Sequence, residues 1–551
     1  MTNKTLIHFI SLFALLVLFL HCQQENKQAT IEETAIDANY LKTVLQELGS
    51  DKYMGRMPGT EAETLTLNYL EKEYKALGLQ PGNGDSYFQE VPLVTITAKP
   101  EATMTIKGAK GTEILDFKDD FVTSTQRVQK KIAVKDSELV FCGFGIVAPE
   151  YNWNDYEGID MKGKTAVVFV NDPGYYSEDS TLFKGKTMTY YGRWTYKYEE
   201  AARQGADGVI IIHETGAAGY PWFVVKSSWT GGLQSLQTPD DGMSRCAFEG
   251  WITASAASKI FSKSTIEGKN MLQKAMAADF QPMPMGLRFD HSMQVQTKKQ
   301  LSNNVIGIIP GTDRADEYII YTAHWDHIGI GPVVNGDSIY NGALDNASGM
   351  ATFMAIAKAF EQASVKPKRS IIFLAVTAEE QGLLGSEYYA KNPIFPLEKT
   401  IANLNKDGAN VHGPMKDLTI TGFGHSELDD LAATEAKKQD RYILPEQEPE
   451  KGYFFRSDHF NFAKVGVPAF YAGGRYDHRA KGKEYAKQKA EEYTKANYHQ
   501  PSDEYSDDWD LTGAVEDAQL YFNLGQRLAN EKIYPQWKDG SEFQAARKIK
   551  N

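Results

Sequence analysis

The chain has 551 residues, of which 42% are hydrophobic and 24% are charged. That length and balance are sufficient for two or three domains with hydrophobic cores, and they exclude a disordered or fibrous protein. The formal net charge is -13 at pH 7. Because phosphate binding needs clustered Lys and Arg, this charge and the lack of a long basic run exclude a nucleic-acid partner.

The N-terminal segment has the pattern of an export signal. Lys4 precedes an apolar run over residues 6–20, and His21, Cys22 and a polar stretch follow it. The run is shorter than the about 20 residues of a membrane span and fits the apolar region of a signal peptide. It resembles a bacterial lipoprotein signal, in which Cys22 becomes the lipidated N-terminus. The sequence therefore predicts a lipoprotein of the periplasm or outer membrane, with simple secretion or an uncleaved anchor as alternatives.

The first half of the chain begins with helical spacing, because Leu41, Leu45 and Leu48 recur on one face. A region rich in Gly and aromatic residues follows between about 137 and 290. The elements predicted in this half are two helices between about residues 40 and 79, short strands between 90 and 135, strand 165–170, helix 196–204 and strand 208–212.

After residue 303 the pattern changes to apolar strands that alternate with helices. The elements predicted there are strand 318–323, helix 347–360, strand 370–376 and strand 401–404. Apolar strands buried on both faces, with crossover helices, are typical of an α/β fold with a mixed, mostly parallel central sheet flanked by helices. In such sheets ligands bind beyond the carboxyl ends of the strands.

Polar residues follow each of these predicted strands. A pair of zinc ions needs imidazole and carboxylate ligands, one carboxylate able to bridge, and open positions for water. The strand ends and the start of the intervening helix supply such side chains, and a late histidine completes the set. The candidate metal ligands are His324, Asp345, Glu380, Asp407 and His499.

Two further carboxylates have different expected roles at the same site. Asp326 lies two residues after His324 in extended chain, so its carboxylate is expected to accept the ring N–H of His324 and to fix the tautomer. Glu379 and Glu380 are adjacent, so their side chains diverge. One is expected to ligate, while the other accepts a proton from a metal-bound water, whose pKa falls from 15.7 to about 7.

Five motifs in this order resemble peptidase family M28, the zinc aminopeptidases. They begin at His324-Trp-Asp-His, Gly342-Ala-Leu-Asp, Thr377-Ala-Glu-Glu, Asn405-Lys-Asp and Tyr498-His-Gln-Pro, and Gly55-Arg-Met-Pro-Gly extends the resemblance toward the start. The resemblance implies a zinc-exopeptidase fold of the phosphorylase/hydrolase-like type and a cis peptide at Asp345-Asn346. It also implies two Zn²⁺, or other divalent metals. His324 and Asp407 would hold one, Glu380 and His499 the other, Asp345 would bridge, and Glu379 would be the base.

Residues 137–290 resemble a protease-associated (PA) domain, a β-rich insert that shapes access to the metals. The predicted organisation is a signal peptide (1–22), the N-terminal part of the peptidase domain (23–136), the PA insert (137–290) and the metal-binding part (291–551). Cys142 and Cys246 both fall in the insert. An oxidising compartment permits a disulfide between them, and two buried free thiols are the alternative.

One ligand has a rival, and the substrate pocket has only weak signals. His459 is a second loop-borne imidazole, but the Tyr-His-Gln-Pro context favours His499, with Asp503 near enough to orient it. Ser457, Asp458, Tyr453 and Arg456 are weak candidates for the substrate pocket.

The predicted function is hydrolysis of N-terminal residues from peptide substrates, with the metals polarising the scissile carbonyl and orienting the free amine. A carboxypeptidase or dipeptidase has the same metal site and is the nearest alternative. A non-catalytic, receptor-like binding protein would have lost ligands or Glu379, and none is lost here. A one-zinc glutaminyl cyclase is disfavoured by the complete ligand set and the insert. The sequence sets neither side-chain preference nor oligomeric state.

Overall fold

The computed structural model describes residues 34–177, 179–266 and 269–547. The predicted signal peptide and Cys22 lie outside the described residues. The described chain starts with two helices, α1 (Ala38–Leu48) and α2 (Glu61–Ala76). They confirm the predicted helical region. The Asp37 side chain caps α1 by accepting the Tyr40 N–H at 3.0 Å, which satisfies a main-chain donor that the helix itself leaves unpaired.

The next region is rich in strands. Its strands are β1 (Gln80–Pro81), β2 (Phe88–Pro100), β3 (Thr103–Gly108), β4 (Gly111–Asp116), β5 (Phe121–Ser124), β6 (Lys131–Phe141), β7 (Val147–Ala148), β8 (Trp153–Asn154), β9 (Lys164–Phe169), β10 (Gly208–His213), β11 (Gly232–Leu236) and β12 (Phe248–Thr253). Its helices are α3 (Pro173–Tyr176), α4 (Trp194–Arg203), α5 (Thr215–Ala218), α6 (Trp222–Ser228), α7 (Ala254–Lys263) and α8 (Met271–Ala275). Strands β6, β9, β10 and β12 pair in parallel, and β5 is antiparallel to β12.

A 27-residue strand, β13 (Met283–Ile309), joins this region to the second half of the chain. Its first part pairs with β3 and β6, and its last part pairs with strand Arg369–Val376 of the second half. Its first part alternates buried and exposed residues, as expected for a strand with one solvated face. The predicted boundary at 290/291 falls inside this strand, and the domain limits stay a prediction.

The second half contains the central sheet. Its strands are β14 (Arg314–His324), β15 (Gly329–Val334), β16 (Asp337–Tyr340), β17 (Arg369–Val376), β18 (Thr400–Asn405), β19 (Asp417–Ile420), β20 (Tyr442–Pro445) and β21 (Ala469–Gly473). Its helices are α9 (Gly349–Gln362), α10 (Leu384–Lys391), α11 (Leu428–Lys438), α12 (His459–Lys464), α13 (Gly482–Ala496) and α14 (Thr512–Asn530). The order is β2-β13-β17-β14-β18-β21-β19-β20, with β17, β14, β18 and β21 parallel. This confirms the mixed, mostly parallel sheet.

Helices cover both faces of the sheet. Along β17, Ile371, Phe373 and Ala375 pack into a core with α1, α9 and α14, whereas the alternate residues pack into a second core with α10 and α12. A strand buried on both faces needs apolar residues at every position, which explains its continuous hydrophobic run.

Cys142 and Cys246 are buried free thiols, so the second of the two alternatives for this pair is the observed one. Among the described residues, no helix combines the length and the apolarity needed to cross a membrane.

Candidate metal centre

The candidate ligands meet at one edge of the central sheet. His324 is the last residue of β14, Asp407 lies two residues beyond the end of β18, and Glu379 and Glu380 follow β17. Because these three strands are parallel, their carboxyl ends lie at the same edge, and the side chains that follow them converge there. Asp345 reaches the same place from a short helical turn, Ala343–Ser348, just before α9.

His324 lies at the centre of one group of ligands. Its Nε2 is 3.3 Å from Asp407 Oδ1, 3.4 Å from Asp345 Oδ1 and 3.9 Å from Glu379 Oε2. The ring is 1% exposed, so these contacts are shielded from bulk water.

His499 lies at the centre of a second group. Its Nε2 is 3.1 Å from Glu380 Oε2 and 3.3 Å from Asp345 Oδ2. Asp345 therefore turns one carboxylate oxygen to each histidine, which is the arrangement that a bridging ligand needs.

The distances between these donor atoms fit bound zinc. Two atoms that ligate one tetrahedral zinc at about 2.0–2.2 Å lie roughly 3.3 Å apart. The four His-to-carboxylate distances between the five candidate ligands are 3.1, 3.3, 3.3 and 3.4 Å. The Nε2 atom of His499 is also buried, its two carboxylate contacts lack hydrogen-bond geometry, and among the described residues it has no other hydrogen-bond partner. Buried polar atoms rarely stay unpaired, and a metal ion would satisfy this one.

The charges of the clustered carboxylates also favour a bound cation. Asp345, Glu379, Glu380 and Asp407 crowd together, and in the described part of the chain none lies within 4 Å of a Lys or Arg nitrogen. Burial and the neighbouring carboxylates hold the pKa of Glu379 well above its usual range. Carboxylates packed without cationic side chains are a suitable site for divalent cations.

Asp326 contacts the site differently from the sequence-based expectation. Its carboxylate accepts the main-chain N–H groups of Glu379 at 3.0 Å and Glu380 at 3.4 Å. The Nδ1 atom of His324 is 3.2 Å from the main-chain oxygen of Asp326 and 3.8 Å from its carboxylate. The carboxylate therefore shapes the Glu379-Glu380 turn, while the main chain of the same residue orients His324. Burial raises the pKa of Asp326 to about 7.

Hydrogen bonds to neighbouring segments hold the turn that carries Asp345. The peptide bond between Asp345 and Asn346 is cis, as the resemblance implies. The Asn346 side chain accepts the Gly408 N–H at 2.7 Å and donates to the main-chain oxygen of His324 at 3.3 Å. Asp503 accepts the N–H groups of Leu344 and Asp345 at 3.0 and 3.1 Å. Asp503 thus holds the Asp345 turn, whereas we had expected it to orient His499.

Arg56 lies far from this turn in sequence, but its side chain binds the main chain just before it. The residue is 1% exposed, and its guanidinium donates to the main-chain oxygens of Leu48, Trp325, Asn341 and Gly342 at 2.6–3.0 Å. Arg56 belongs to the Gly55-Arg-Met-Pro-Gly motif, whose role was not assigned from sequence. The contacts show that this motif braces the loops on both sides of the site.

The four weak pocket candidates lie in different environments. Ser457 is buried and accepts the Asn405 side-chain N–H at 2.7 Å, and buried Asp458 accepts the Ser386 hydroxyl at 2.6 Å. Tyr453 and Arg456 are half-buried, with the guanidinium 5.2 Å from the ring centre of the tyrosine.

The rival histidine, His459, lies apart from the ligand groups in the described structure. Its buried ring packs against Phe454 and Tyr471, and neither ring nitrogen has a hydrogen-bond partner.

His327 is a site residue that the sequence analysis did not identify. Its ring is fully buried, and its Nδ1 lies 2.6 Å from Glu380 Oε1. Its position three residues after His324, in the same His-Trp-Asp-His run, was the available signal. Spacing alone does not tell which way a side chain turns in a loop.

Comparisons with known proteins agree with this site. Residues 304–523 match the model for "Peptidase family M28". The mouse protein "Aminopeptidase NAALADL1" is 33% identical over 129 residues, which is 22% of this chain and 16% of that protein. A "Probable glutamate carboxypeptidase" of Arthroderma benhamiae is 39% identical over 139 residues, or 24% of this chain and 17% of that protein. The chain thus spans less than a fifth of the length of these curated relatives.

Among solved structures, "Aminopeptidase from Aneurinibacillus sp. strain AM-1" is 18% identical with a TM-score of 0.48. That alignment covers 92% of this chain and 96% of that one.

Proposed function

We propose that this chain, whose residues 304–523 match the model for peptidase family M28, is a two-zinc aminopeptidase that removes N-terminal residues from peptides. The observation that carries this proposal is the spacing of the donor atoms. Nitrogen and oxygen atoms from five distant residues lie 3.1–3.4 Å apart in two groups that share Asp345. These separations match those between atoms that ligate one tetrahedral zinc.

The ligand roles follow from the two groups. His324 and Asp407 would hold one zinc, Glu380 and His499 would hold the other, and Asp345 would bridge them. When bound, the zinc pair supplies Lewis acidity that polarises a scissile carbonyl and makes water nucleophilic near neutral pH.

Glu379 is the proposed general base. Its carboxylate borders the candidate ligand groups, with Oε2 3.9 Å from His324 Nε2, and it forms no ion pair with a Lys or Arg of the described residues. Burial and the charges of Asp407 and Glu380 raise its pKa, which makes it a better proton acceptor than an ordinary carboxylate. Asp326 acts through the main chain, because its carboxylate fixes the turn that aims Glu379.

One observation favours a carboxypeptidase or dipeptidase as the second candidate. Arg193 and Arg456 are close enough for their charges to interact, and burial together with the charge of Arg456 lowers the pKa of Arg193 to about 10. Neither guanidinium lies within 4 Å of a carboxylate of the described residues, and Arg456 Nε is buried without a partner. Two arginines that lack a carboxylate partner suit a substrate carboxylate, and one relative is named as a probable glutamate carboxypeptidase.

Peptide libraries with free or acetylated N-termini, each with free or amidated C-termini, separate the two candidates. For an aminopeptidase, we expect acetylation to abolish hydrolysis and amidation to leave it unchanged. The reverse pattern would replace the aminopeptidase proposal with the carboxypeptidase one. No hydrolysis of any library by zinc-loaded protein would favour the binding-protein alternative.

We also propose that residues 137–290 form a PA domain that borders the substrate entrance. Contacts between this region and the segment that precedes Ser457 support the role, because the Met188 N–H donates to the Pro449 oxygen at 3.1 Å. Export as a lipoprotein anchored at Cys22 is likewise proposed, on the sequence pattern alone. Labelling with palmitate that is lost in Cys22→Ala would support this anchor.

A further inference from the structure

Glu380 uses its two carboxylate oxygens in different directions. Oε2 lies 3.1 Å from His499 Nε2, on the side of the second ligand group. Oε1 lies 2.6 Å from His327 Nδ1, on the other side. A carboxylate held at one oxygen cannot rotate freely, so the second oxygen keeps a fixed direction.

The short contact is a hydrogen bond and leaves no space for a shared ion. Atoms that ligate the same tetrahedral zinc lie roughly 3.3 Å apart. The distances from the Nε2 atoms of His324 and His499 to the oxygens of Asp345 and Asp407 are close to this value, at 3.3–3.4 Å. The 2.6 Å between His327 Nδ1 and Glu380 Oε1 is much shorter. Since a carboxylate can only accept, Nδ1 must carry the proton of this bond.

The His327 ring is fixed in place by the surrounding chain. It is fully buried and lies against the main chain of Gly342, where a Cβ atom would come within 2.5 Å of the ring carbons. Gly342 has φ +56°, and its main-chain oxygen accepts a hydrogen bond from Arg56 at 3.0 Å. The ring of His499 packs at its edge, with 5.7 Å between ring centres.

We propose that His327 is a positioning residue for the second metal site, which holds Glu380 Oε1 by a hydrogen bond so that Oε2 is the ligating oxygen. This inference rests on the proposed two-zinc function. Hydrogen bonds to ligating carboxylates typically change metal affinity or activity by about 10- to 100-fold. His327 is therefore expected to tune the site of Glu380 and His499 and to leave the site of His324 and Asp407 unchanged.

The test compares two substitutions in the full-length mature protein by zinc titration against a competing chelator, which needs no substrate. In His327→Asn, the amide nitrogen can replace Nδ1–H as the donor, whereas His327→Leu has no donor. We expect the wild-type protein to bind two zinc ions, and His327→Leu to bind one of them about 10- to 100-fold more weakly. His327→Asn should stay within a few-fold of wild type. His213→Asn, in the β-rich region, is the matched control and should not change either affinity.

Three outcomes would overturn the positioning role. Equal loss of one zinc in His327→Asn and His327→Leu would make the imidazole itself a ligand. Unchanged affinity in His327→Leu would show that the hydrogen bond positions nothing. A wild-type protein that binds fewer than two zinc ions would overturn the proposed function as well, which distinguishes that failure from the first two. Circular dichroism of the zinc-free variants checks that each one is folded.

Discussion

At the scale of single residues, the site combines groups whose surroundings give them separate tasks. Glu379 and Glu380 are neighbours in sequence, yet burial and nearby carboxylates raise the pKa of Glu379, while the pKa of Glu380 is lowered to about 2. Burial acts against the shift of Glu380, and its neighbours His499 and His327 overcome it. Glu380 therefore stays an anion suited to ligation, and Glu379 retains a high affinity for a proton.

The substitution Glu379→Gln tests this division of tasks. The amide has nearly the same size but cannot accept a proton as a base, so we expect two zinc ions to remain bound and kcat to fall by about 100- to 10,000-fold. Zinc content and steady-state kinetics on the same preparation are the measurements. Glu387→Gln, at a partly exposed helix position that pairs with Lys391, is the control and should keep full activity. Near-normal turnover of Glu379→Gln would refute the base assignment.

The sequence could identify those site residues whose positions are determined by the strands that precede them. His324, Glu380 and Asp407 follow parallel strands, so their convergence is a consequence of the sheet. The contacts of Asp326 and His327 depend on loop geometry after His324, which no periodicity encodes. For that reason the direction of the Asp326 carboxylate differed from expectation, and the hydrogen bond from His327 was missed.

At the scale of elements, Arg56 connects the start of the chain to both loops around the metal centre. Its guanidinium lies between α1 and the loops that follow β14 and β16, and it satisfies main-chain oxygens that water cannot reach. A planar group with five donors suits this task, and a lysine ammonium has only three donors on a flexible stem.

We therefore expect Arg56→Lys to lower the free energy of unfolding by about 3 kcal/mol, since hydrogen bonds to charged groups contribute about 1.5–3 kcal/mol each. Urea unfolding of the zinc-free protein measures this without the contribution of the metals. Arg288→Lys, whose side chain is 52% exposed and pairs with Asp136, is the matched control and should cost less than about 1 kcal/mol. Equal effects of the two substitutions would contradict the bracing role.

The strands show why some elements are predictable and others are not. β17 and β18 were predicted within one residue at each end, because strands buried on both faces have continuous apolar runs with polar residues after them. β13 was not recognised as one strand, although Leu287, Phe289 and Met293 alternate with polar residues. Its 27 residues far exceed an ordinary strand, and pairing with distant strands stabilises it.

At the scale of the whole molecule, the β-rich region is docked on the metal-binding half by ion pairs and packing. Lys464 of α12 lies 2.8 Å from Glu199 of α4, and Lys184 lies 2.8 Å from Glu542 near the end of the described chain. Tyr190 packs between these pairs against Phe460, with 5.2 Å between ring centres. The β-rich region and the half that carries the candidate metal centre are therefore packed as one continuous structure.

That continuity means that metal binding is expected to stabilise the protein as a whole. Four carboxylates held together without lysine or arginine partners repel one another when no cation is bound. A ligand that binds only the folded protein adds about 2.7 kcal/mol at 100 times its Kd. We expect chelation to lower the melting temperature and abolish hydrolysis, and added zinc to restore both. Asp345→Asn removes the charge of the proposed bridging ligand, so zinc should raise the melting temperature of this variant much less. A melting temperature that chelators leave unchanged would contradict a structural link between metal and fold.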